Sequence, residues 1–240
     1  MRILKILLLL VALLGAPTEL IKAQTPQIKT ANEVIQQAIM AMGGKAVLAN
    51  VKTLYTEMST EMDGRKVLWV TKEMEPNKGA FQIVYNGRIV FENWFDGKDG
   101  YELVRGEKKK ADPEEFKAKQ YKKHIMNELD FIDPSLWTLE LLKEEPKVNG
   151  EDCYMIKATS AGNEVRHLYY SKKSYLMLRE DNISNTEKGK FTSTYFSEFK
   201  KFGELLYYTQ SIFGDADKTQ EVKIVNLWIN EKVTPKDFNK

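Results

Sequence analysis

The stretch LYTEMSTEMDGRKVLWVTKEM, residues 54–74, has the two-residue period of β-strands and one tight turn in its middle. From Leu54 to Met62, leucine, methionine and threonine fall on one face, and tyrosine, glutamate and serine fall on the other. Asp63-Gly64 is a two-residue hairpin signal. The next strand, Lys66 to Met74, stops at Pro76, which has no backbone N–H to donate. The stretch therefore predicts an antiparallel hairpin.

Short strands separated by turn residues follow along most of the chain. Asn86-Gly87 and Asp96-Gly97 mark turns soon after the first hairpin, and strands resume after Leu142. Strands joined in this way form an antiparallel meander. About ten or eleven strands are predicted, at residues 54–62, 66–74, 79–85, 88–95, 99–105, 151–159, 164–170, 174–182, 190–200, 203–213 and 220–230.

Two regions have helical patterns instead. Ala31 to Met42 carries apolar residues on one helix face, with Thr30 or Asn32 as the N-cap and Gly43-Gly44 as the end. A short helical piece is expected at residues 45–50. Later in the chain, Asp112-Pro113 is a good helix start and predicts a helix to about Leu129. Asp133-Pro134 predicts a second short helix that contains Leu136, Trp137 and Leu139.

The pattern as a whole predicts an α+β, mainly β chain with a helix before the sheet and a helical insertion within it. No linker or composition shift divides the chain, so residues 24–240 are expected to form one domain. Several strands are apolar on both faces, as in Val222 to Ile229. Both faces of such a sheet must be shielded from water. Either the helices or a ligand covers one of the two faces.

The first 23 residues have the pattern of a secretory signal peptide. Arg2 and Lys5 precede the apolar run Ile6–Leu14, and Ala23 fits the residue before a cleavage site. The run is shorter than the ~20 residues of a membrane-spanning helix. No cysteine follows the cleavage region, which excludes a lipid-modified N-terminus. The mature chain, residues 24–240, is therefore predicted to be soluble and exported.

The charge of the mature chain argues against a polyanionic partner. The full chain has 36 lysines and arginines and 34 aspartates and glutamates. Cleavage after Ala23 removes three basic residues and one acidic residue, so 33 of each sign remain. A neutral chain has no bulk attraction to nucleic acid or anionic lipid. No nucleic-acid partner is expected.

The sequence lacks the motifs of known catalytic and metal sites. His124 and His167 are its two histidines, and neither has a second ligand at metal spacing. Cys153 is the only cysteine and lies in an apolar strand, which favours a small buried side chain over a reactive thiol. No catalytic residue, metal or cofactor is predicted.

Aromatic side chains are abundant instead. The chain has 11 tyrosines, 11 phenylalanines, 4 tryptophans and 9 methionines. Two interpretations remain open: an ordinary core, or a lined cavity for an acyl chain or an apolar segment. The candidate cavity residues are Trp69, Phe81, Tyr85, Trp94, Tyr101, Phe131 and Trp137.

Short motifs within residues 65–105 resemble a known superfamily. Val67–Val70, then Pro76-Asn77-Lys78, Phe81, and Asp96-Gly97-Lys98 before Tyr101 resemble the periplasmic lipoprotein carriers and the outer-membrane lipoprotein-sorting proteins. The opening Ala41–Gly44 and the ending Val222–Asn230 with Phe238 are similar to the variant in Bacteroidetes-type exported proteins.

The resemblance implies a half-open antiparallel β-barrel of about eleven strands, with a helical lid over an apolar cavity that receives lipoprotein acyl chains. One position departs from the family pattern. The carriers have a basic residue before the motif proline that ties the lid to the sheet, whereas this chain has Glu75 before Pro76. The lipid-anchored receptor relatives also need an N-terminal cysteine, which is missing here.

Three functions follow as hypotheses. The first is a soluble periplasmic carrier, expected to be a monomer, that binds a lipid or the acyl chains of a lipoprotein and exchanges them with a membrane-associated donor or acceptor protein. The second is a non-catalytic protein-interaction or accessory module on the same fold. The third is an enzyme of unrecognised type, which requires converging titratable residues in a cleft.

Overall fold

The structure is a computed structural model that describes residues 30–183, 193–214 and 218–239. The predicted signal peptide, residues 1–23, lies outside the described residues. The helices are α1 (Ala31–Ala41), α2 (Lys45–Ala49), α3 (Pro113–Phe116) and α4 (Asn127–Phe131), with 3₁₀ helices at Lys117–Tyr121 and Pro235–Phe238. The strands are β1 (Thr53–Met62), β2 (Arg65–Met74), β3 (Lys78–Tyr85), β4 (Arg88–Phe95), β5 (Gly100–Val104), β6 (Glu107–Lys110), β7 (Trp137–Leu141), β8 (Lys147–Val148), β9 (Glu151–Ser160), β10 (Val165–Ser171), β11 (Met177–Asn182), β12 (Ser193–Ser197), β13 (Lys200–Phe202), β14 (Leu205–Tyr207), β15 (Gln210–Gly214) and β16 (Thr219–Ile229).

Within the described ranges, fourteen strands form one antiparallel sheet. Their order is β6-β5-β4-β3-β2-β1-β16-β15-β12-β11-β10-β9-β7, with β8 paired to β9, and β13 and β14 form a separate ribbon. The end strands β6 and β7 do not pair with each other, so the sheet stays open on one side. The predicted class, α+β and mainly β with a half-open antiparallel barrel, is confirmed. The extra strands beyond about eleven are short ones such as β6, β7 and β8.

The predicted first hairpin has the expected register. Strands β1 and β2 pair without interruption from Thr53↔Met74 to Met62↔Arg65. The turn residues Asp63 and Gly64 both have positive φ, 50° and 72°. Positive φ at both central residues is the backbone that Asp-Gly supplies in tight hairpins. The alternation that the sequence shows in residues 54–62 therefore decides which side chains face the interior.

Helix α1 packs against one half of the curved sheet. Thr30 and Glu33 form a capping box at its start. Its buried face includes Val34, Ile35 and Ile39, which are at most 1 % exposed. These side chains join a core with residues of α4 and of β9 and β10, such as Ile156. One cover of the sheet is therefore helical, which is one of the two alternatives that the sequence leaves open.

The helical insertion differs from its prediction. The expected helix to about Leu129 ends early, because Lys122 is extended, with φ −118° and ψ 132°. The backbone N–H groups of Lys123 and His124 donate to the Asp130 carboxylate at 3.1 and 3.0 Å. A side chain thus satisfies donors that a continuous helix would bond internally.

The second predicted helix, after Asp133-Pro134, is also wrong. Asp133, Leu136 and Trp137 form a turn, in which both later N–H groups donate to the Asp133 carbonyl. Trp137 then starts β7, where it pairs with Ser160 of β9. Pairing with an available sheet edge outweighs the local helical signal in this segment.

The second cover of the sheet is the C-terminal segment. Phe238 is 1 % exposed and packs with Val233 against Ala80 and Trp94 on the outer face. Asp237 of the same 3₁₀ helix pairs with Lys72 of β2 at 2.5 Å. The outer face of β2–β4 is therefore closed by residues of the chain itself, and the inner face is the one that is free to line a cavity.

Candidate functional site

A cavity of about 380 Å³ lies between the inner face of the sheet and the helical insertion. Its volume falls within the range of small-molecule sites. The insertion residues Pro113–Tyr121, called the lid below, close one side of it. The lining residues are Leu54, Thr56, Met58, Trp69, Thr71, Lys72, Glu73, Gly79, Ala80, Phe81, Asn93, Phe116, Lys119, Tyr207, Tyr208, Phe213 and Ile224. Lys72 and Ala80 belong to this set although their side chains contact the C-terminal segment on the outer face.

One end of the cavity is aromatic. The ring of Trp69 makes an edge contact with Phe81, with centroids 5.6 Å apart, and lies 6.2 Å from Phe213. Phe81 in turn lies 6.1 Å from Phe91, which is 36 % exposed. Met58 is the register partner of Trp69 and completes this end. Such a surface offers apolar contact without a polar anchor.

The other end of the cavity is polar. Glu73 of β2 and Lys119 of the lid face each other there, with Nζ and Oε1 separated by 4.0 Å. The hydroxyls of Tyr207 and Tyr208 lie 3.4 Å apart, and their rings stack with centroids at 4.4 Å. Burial raises the pKa of Tyr208 to about 12, and the nearby Glu73 carboxylate adds to the rise. Both phenols therefore remain neutral hydrogen-bonding groups at neutral pH.

Two aromatic lid residues rest on glycines of the sheet. The Phe116 ring stacks on Phe95, with centroids 5.7 Å apart and an interplanar angle of 13°. It also occupies the space that a β-carbon on Gly100 would need. Tyr121 covers Gly162 in the same way. These close approaches fix the lid against both halves of the sheet.

A second, smaller cavity of about 240 Å³ adjoins the first through Glu73 and Lys119. Several of its charged groups have hydrogen-bonding partners nearby. Arg166 bonds Glu164 and Glu180, each at 2.9 Å, and its guanidinium lies 5.4 Å from the Trp137 ring centroid. Lys122 donates to the Asn127 amide oxygen at 2.7 Å, and burial lowers its pKa.

A third cavity of about 100 Å³ adjoins the first through the two tyrosines. Glu128 of α4 lines it and is 5 % exposed. Burial raises the pKa of this carboxyl to about 7. The polar end of the main cavity is thus surrounded by buried ionisable groups that the sequence does not mark as a cluster.

No metal site and no membrane-spanning helix occur in the part of the chain that the structure describes. Three or more His, Cys, Asp or Glu side chains do not converge anywhere in residues 30–183, 193–214 or 218–239. None of the helices in those ranges has the length and apolar content needed to cross a membrane. Cys153 is buried and unpaired, and burial raises the pKa of its thiol.

Solved structures share this architecture. A putative outer membrane lipoprotein-sorting protein domain from Vibrio parahaemolyticus matches 87 % of this chain and 95 % of its own, with a TM-score of 0.58 and 12 % identity. A LolA superfamily protein from Nitrosomonas europaea matches 89 % of this chain and 99 % of its own, with a TM-score of 0.60 and 11 % identity. The chain has the LolA-type fold. No family model and no curated protein sequence matches it. The resemblance stated from the sequence is confirmed at the level of the fold.

The LolA-type fold places the seven predicted cavity residues in four different surroundings. Trp69 and Phe81 line the main cavity, and Phe131 and Trp137 line the second one. Their rings contact each other pairwise, at 5.6 and 5.1 Å between centroids.

The other three predicted residues line none of these three cavities. Trp94 stacks on Tyr101 at 5.6 Å on the outer face, under the C-terminal segment. Tyr85 ends β3, where the Arg65 guanidinium lies 5.7 Å from its ring centroid. The register explains this division, because Trp94 pairs with Ala80 on the face opposite to Phe81.

Several cavity residues were missed from the sequence. Glu73 and Thr71 share the face of Trp69 by simple alternation, so the period-two pattern contains a signal for them. Lys119, Tyr207 and Tyr208 carry no such signal, because they lie in the lid and at the end of β14, and the approach of these segments to β2 depends on the whole fold.

The departure at Glu75 has a clear structural outcome. Its carboxylate pairs with Lys52 at 2.7 Å, at the start of β1 and away from the lid. The charged contact between lid and sheet in this LolA-type fold is instead Lys119 with Glu73. The position before the proline therefore does not hold the lid in this chain.

Proposed function

We propose that the mature chain, residues 24–240, is a periplasmic, non-enzymatic carrier that holds the acyl chain of a lipid or lipoprotein in the main cavity. The observation that supports this is the cavity itself, whose aromatic end is formed by Trp69, Phe81 and Phe213. A LolA-type fold in which the chain's own residues cover the outer face of β2–β4 leaves this inner face for a ligand.

The energetics suit reversible transport. Burial of an acyl chain contributes about 0.8 kcal/mol per methylene, so affinity grows with tail length rather than with a specific bond. The lid is a short segment held mainly by ring contacts and one loose ion pair. Such a segment can open at modest cost to let a tail enter or leave. Donor and acceptor proteins at the two membranes would supply and remove the cargo.

Calorimetric titration with monolauroylglycerol tests the proposal. Wild-type protein should bind it saturably with one site. Thr71→Trp places an indole between Thr56 and Phe81 in the cavity and should weaken binding by about tenfold or more. Val225→Trp, at a strand position that is 50 % exposed, is the matched control and should bind like wild type. Equal binding by all three proteins would contradict the proposal.

One observation favours the alternative, a protein-interaction module. Ile89 and Val90 at the start of β4 are 53 % and 60 % exposed, and Phe91 and Leu103 nearby are each 36 % exposed. A cluster of exposed apolar residues can mark a protein contact. Under this alternative, Val90→Asp abolishes the activity of the protein in cells, and Thr71→Trp leaves that activity intact. The carrier proposal predicts the reverse result for both variants.

A further inference from the structure

The charged pair at the polar end of the cavity is close but not bonded. Lys119 Nζ and Glu73 Oε1 are 4.0 Å apart, whereas N–H···O hydrogen bonds span about 2.7–3.2 Å. The two side chains are 28 % and 26 % exposed. The Lys119 ammonium and the Glu73 carboxylate therefore face the same space, and each can still form a hydrogen bond to a ligand.

The position of the pair is fixed by the sheet. Glu73 and Gly79 are register partners across β2 and β3. A β-carbon on Gly79 would lie 2.6 Å from Lys119 Nζ, so the ammonium group lies directly against the backbone of Gly79. Tyr207 and Tyr208 line the same cavity. Glu73 and Lys119 therefore meet at a position that the sheet defines.

The cavity changes from polar to apolar along a single strand. Glu73, Thr71 and Trp69 follow one another on the inner face of β2. Strand geometry separates the first from the last by roughly 14 Å. Beyond Trp69, the Phe81 and Phe213 rings continue the apolar end. A molecule that matches both ends must be an amphiphile.

The two charges disfavour a head group that carries a single charge. A carboxylate head would be attracted by Lys119 but repelled by Glu73, and an ammonium head would meet the opposite problem. An uncharged hydroxyl can accept from Lys119 and donate to Glu73 at the same time. Hydrogen bonds to charged partners are the stronger ones.

We propose that the cavity binds a single-chain amphiphile with an uncharged, hydroxyl-bearing head group, and that Glu73 and Lys119 together hold this head. The inference rests on the proposed carrier function and adds the ligand class and the two residues that select it. Because each charge rejects one kind of charged head, the pair acts as a filter as well as an anchor.

The test compares three ligands that share a saturated tail: monolauroylglycerol, laurate and dodecylammonium. Calorimetry on the wild-type mature protein should give the tightest binding for monolauroylglycerol, by about tenfold. Glu73→Gln should shift the affinity ratio toward laurate, and Lys119→Gln should shift it toward dodecylammonium, each by about tenfold. Because the two substitutions shift the ratio in opposite directions, either variant alone keeps the test decisive if the other fails to fold.

Glu114→Gln and Lys117→Gln are the matched controls. They remove an exposed ion pair of 3.2 Å in the same lid and should leave all ratios unchanged. If Glu73→Gln and Lys119→Gln also leave the ratios unchanged while all three ligands bind, the head-group site is wrong and the carrier proposal stands. If no ligand binds to wild-type protein, the carrier proposal fails and this inference fails with it.

Discussion

The ammonium group of Lys119 lies directly over Gly79, at a point only 2.6 Å from where a β-carbon of residue 79 would be. This contact joins the lid to β3 and brings the lysine to within 4.0 Å of Glu73. A glycine in the middle of a sheet commonly marks such a close approach. The relationship connects the 3₁₀ helix of the lid to the inner face of the sheet, and a single substitution at residue 79 tests it.

Gly79→Ala should change binding more than stability. The atom that must move is the end of a flexible lysine side chain, so the free energy of unfolding should fall by less than about 1 kcal/mol. The displaced ammonium should no longer share a head group with Glu73. Calorimetry should therefore show weaker binding of monolauroylglycerol, together with a nearly unchanged urea midpoint.

Gly100→Ala should change stability more than binding. The added methyl group meets the ring of Phe116, which is held by stacking on Phe95 and cannot turn away. Overpacking of this kind typically costs about 1–3 kcal/mol. Urea denaturation of both alanine variants checks the contrast, and a smaller loss for Gly100→Ala than for Gly79→Ala would show that the lid does not rest on the sheet in this way.

Phe238→Ala should destabilise the protein strongly, because this ring is 1 % exposed and fills the outer cluster with Trp94. Removal of a buried phenylalanine side chain typically costs about 3–5 kcal/mol. Lys236→Ala in the same 3₁₀ helix is the control and should change the free energy of unfolding by less than about 0.5 kcal/mol. Similar values for the two variants would mean that the C-terminal segment does not cover the sheet.

Glu128 should make stability fall as the pH rises from acid to neutral. Burial raises the pKa of its carboxyl from 4.5 to about 7, so the folded protein keeps a proton that the unfolded chain releases. Stability is therefore fully present below pH 4.5 and is lost as the pH rises through 7. The loss should reach about 3 kcal/mol.

Glu128→Gln removes this titration without changing the shape of the side chain. Denaturation at several pH values should show a variant that is more stable than wild type at pH 7.5 and no more stable at pH 4. If the difference in free energy of unfolding between wild type and variant does not depend on pH, the carboxyl is not buried as described.

The sequence predicted the sheet better than the site. Regular alternation in residues 54–74 identified a hairpin with the observed register, and the capping and glycine signals located α1 within one residue. The insertion was harder, since Asp130 and the free edge of β9 override local helical signals near Lys122 and Trp137. A local sequence pattern therefore predicts strands well. It does not show when a distant partner will replace the hydrogen bonds of a local helix.

In the candidate site, too, the strand residues could be predicted from the sequence and the residues from other segments could not. Alternation places Trp69 and Glu73 on one face and Trp94 on the other once the register is known. An aromatic count without that register mixed the inner and outer faces. The contacts of Lys119 and Tyr207 with the cavity arise from tertiary folding, so no spacing rule in the sequence could have predicted them.

The most direct test of the carrier proposal is lipid analysis of the natively purified mature protein, kept free of detergent. Solvent extraction and mass spectrometry should find about one amphiphile per wild-type chain and almost none in Thr71→Trp, whose cavity is filled. Equal amounts in both proteins would place any lipid outside the cavity. Its absence from the wild-type protein would contradict the account that this cavity holds an acyl chain.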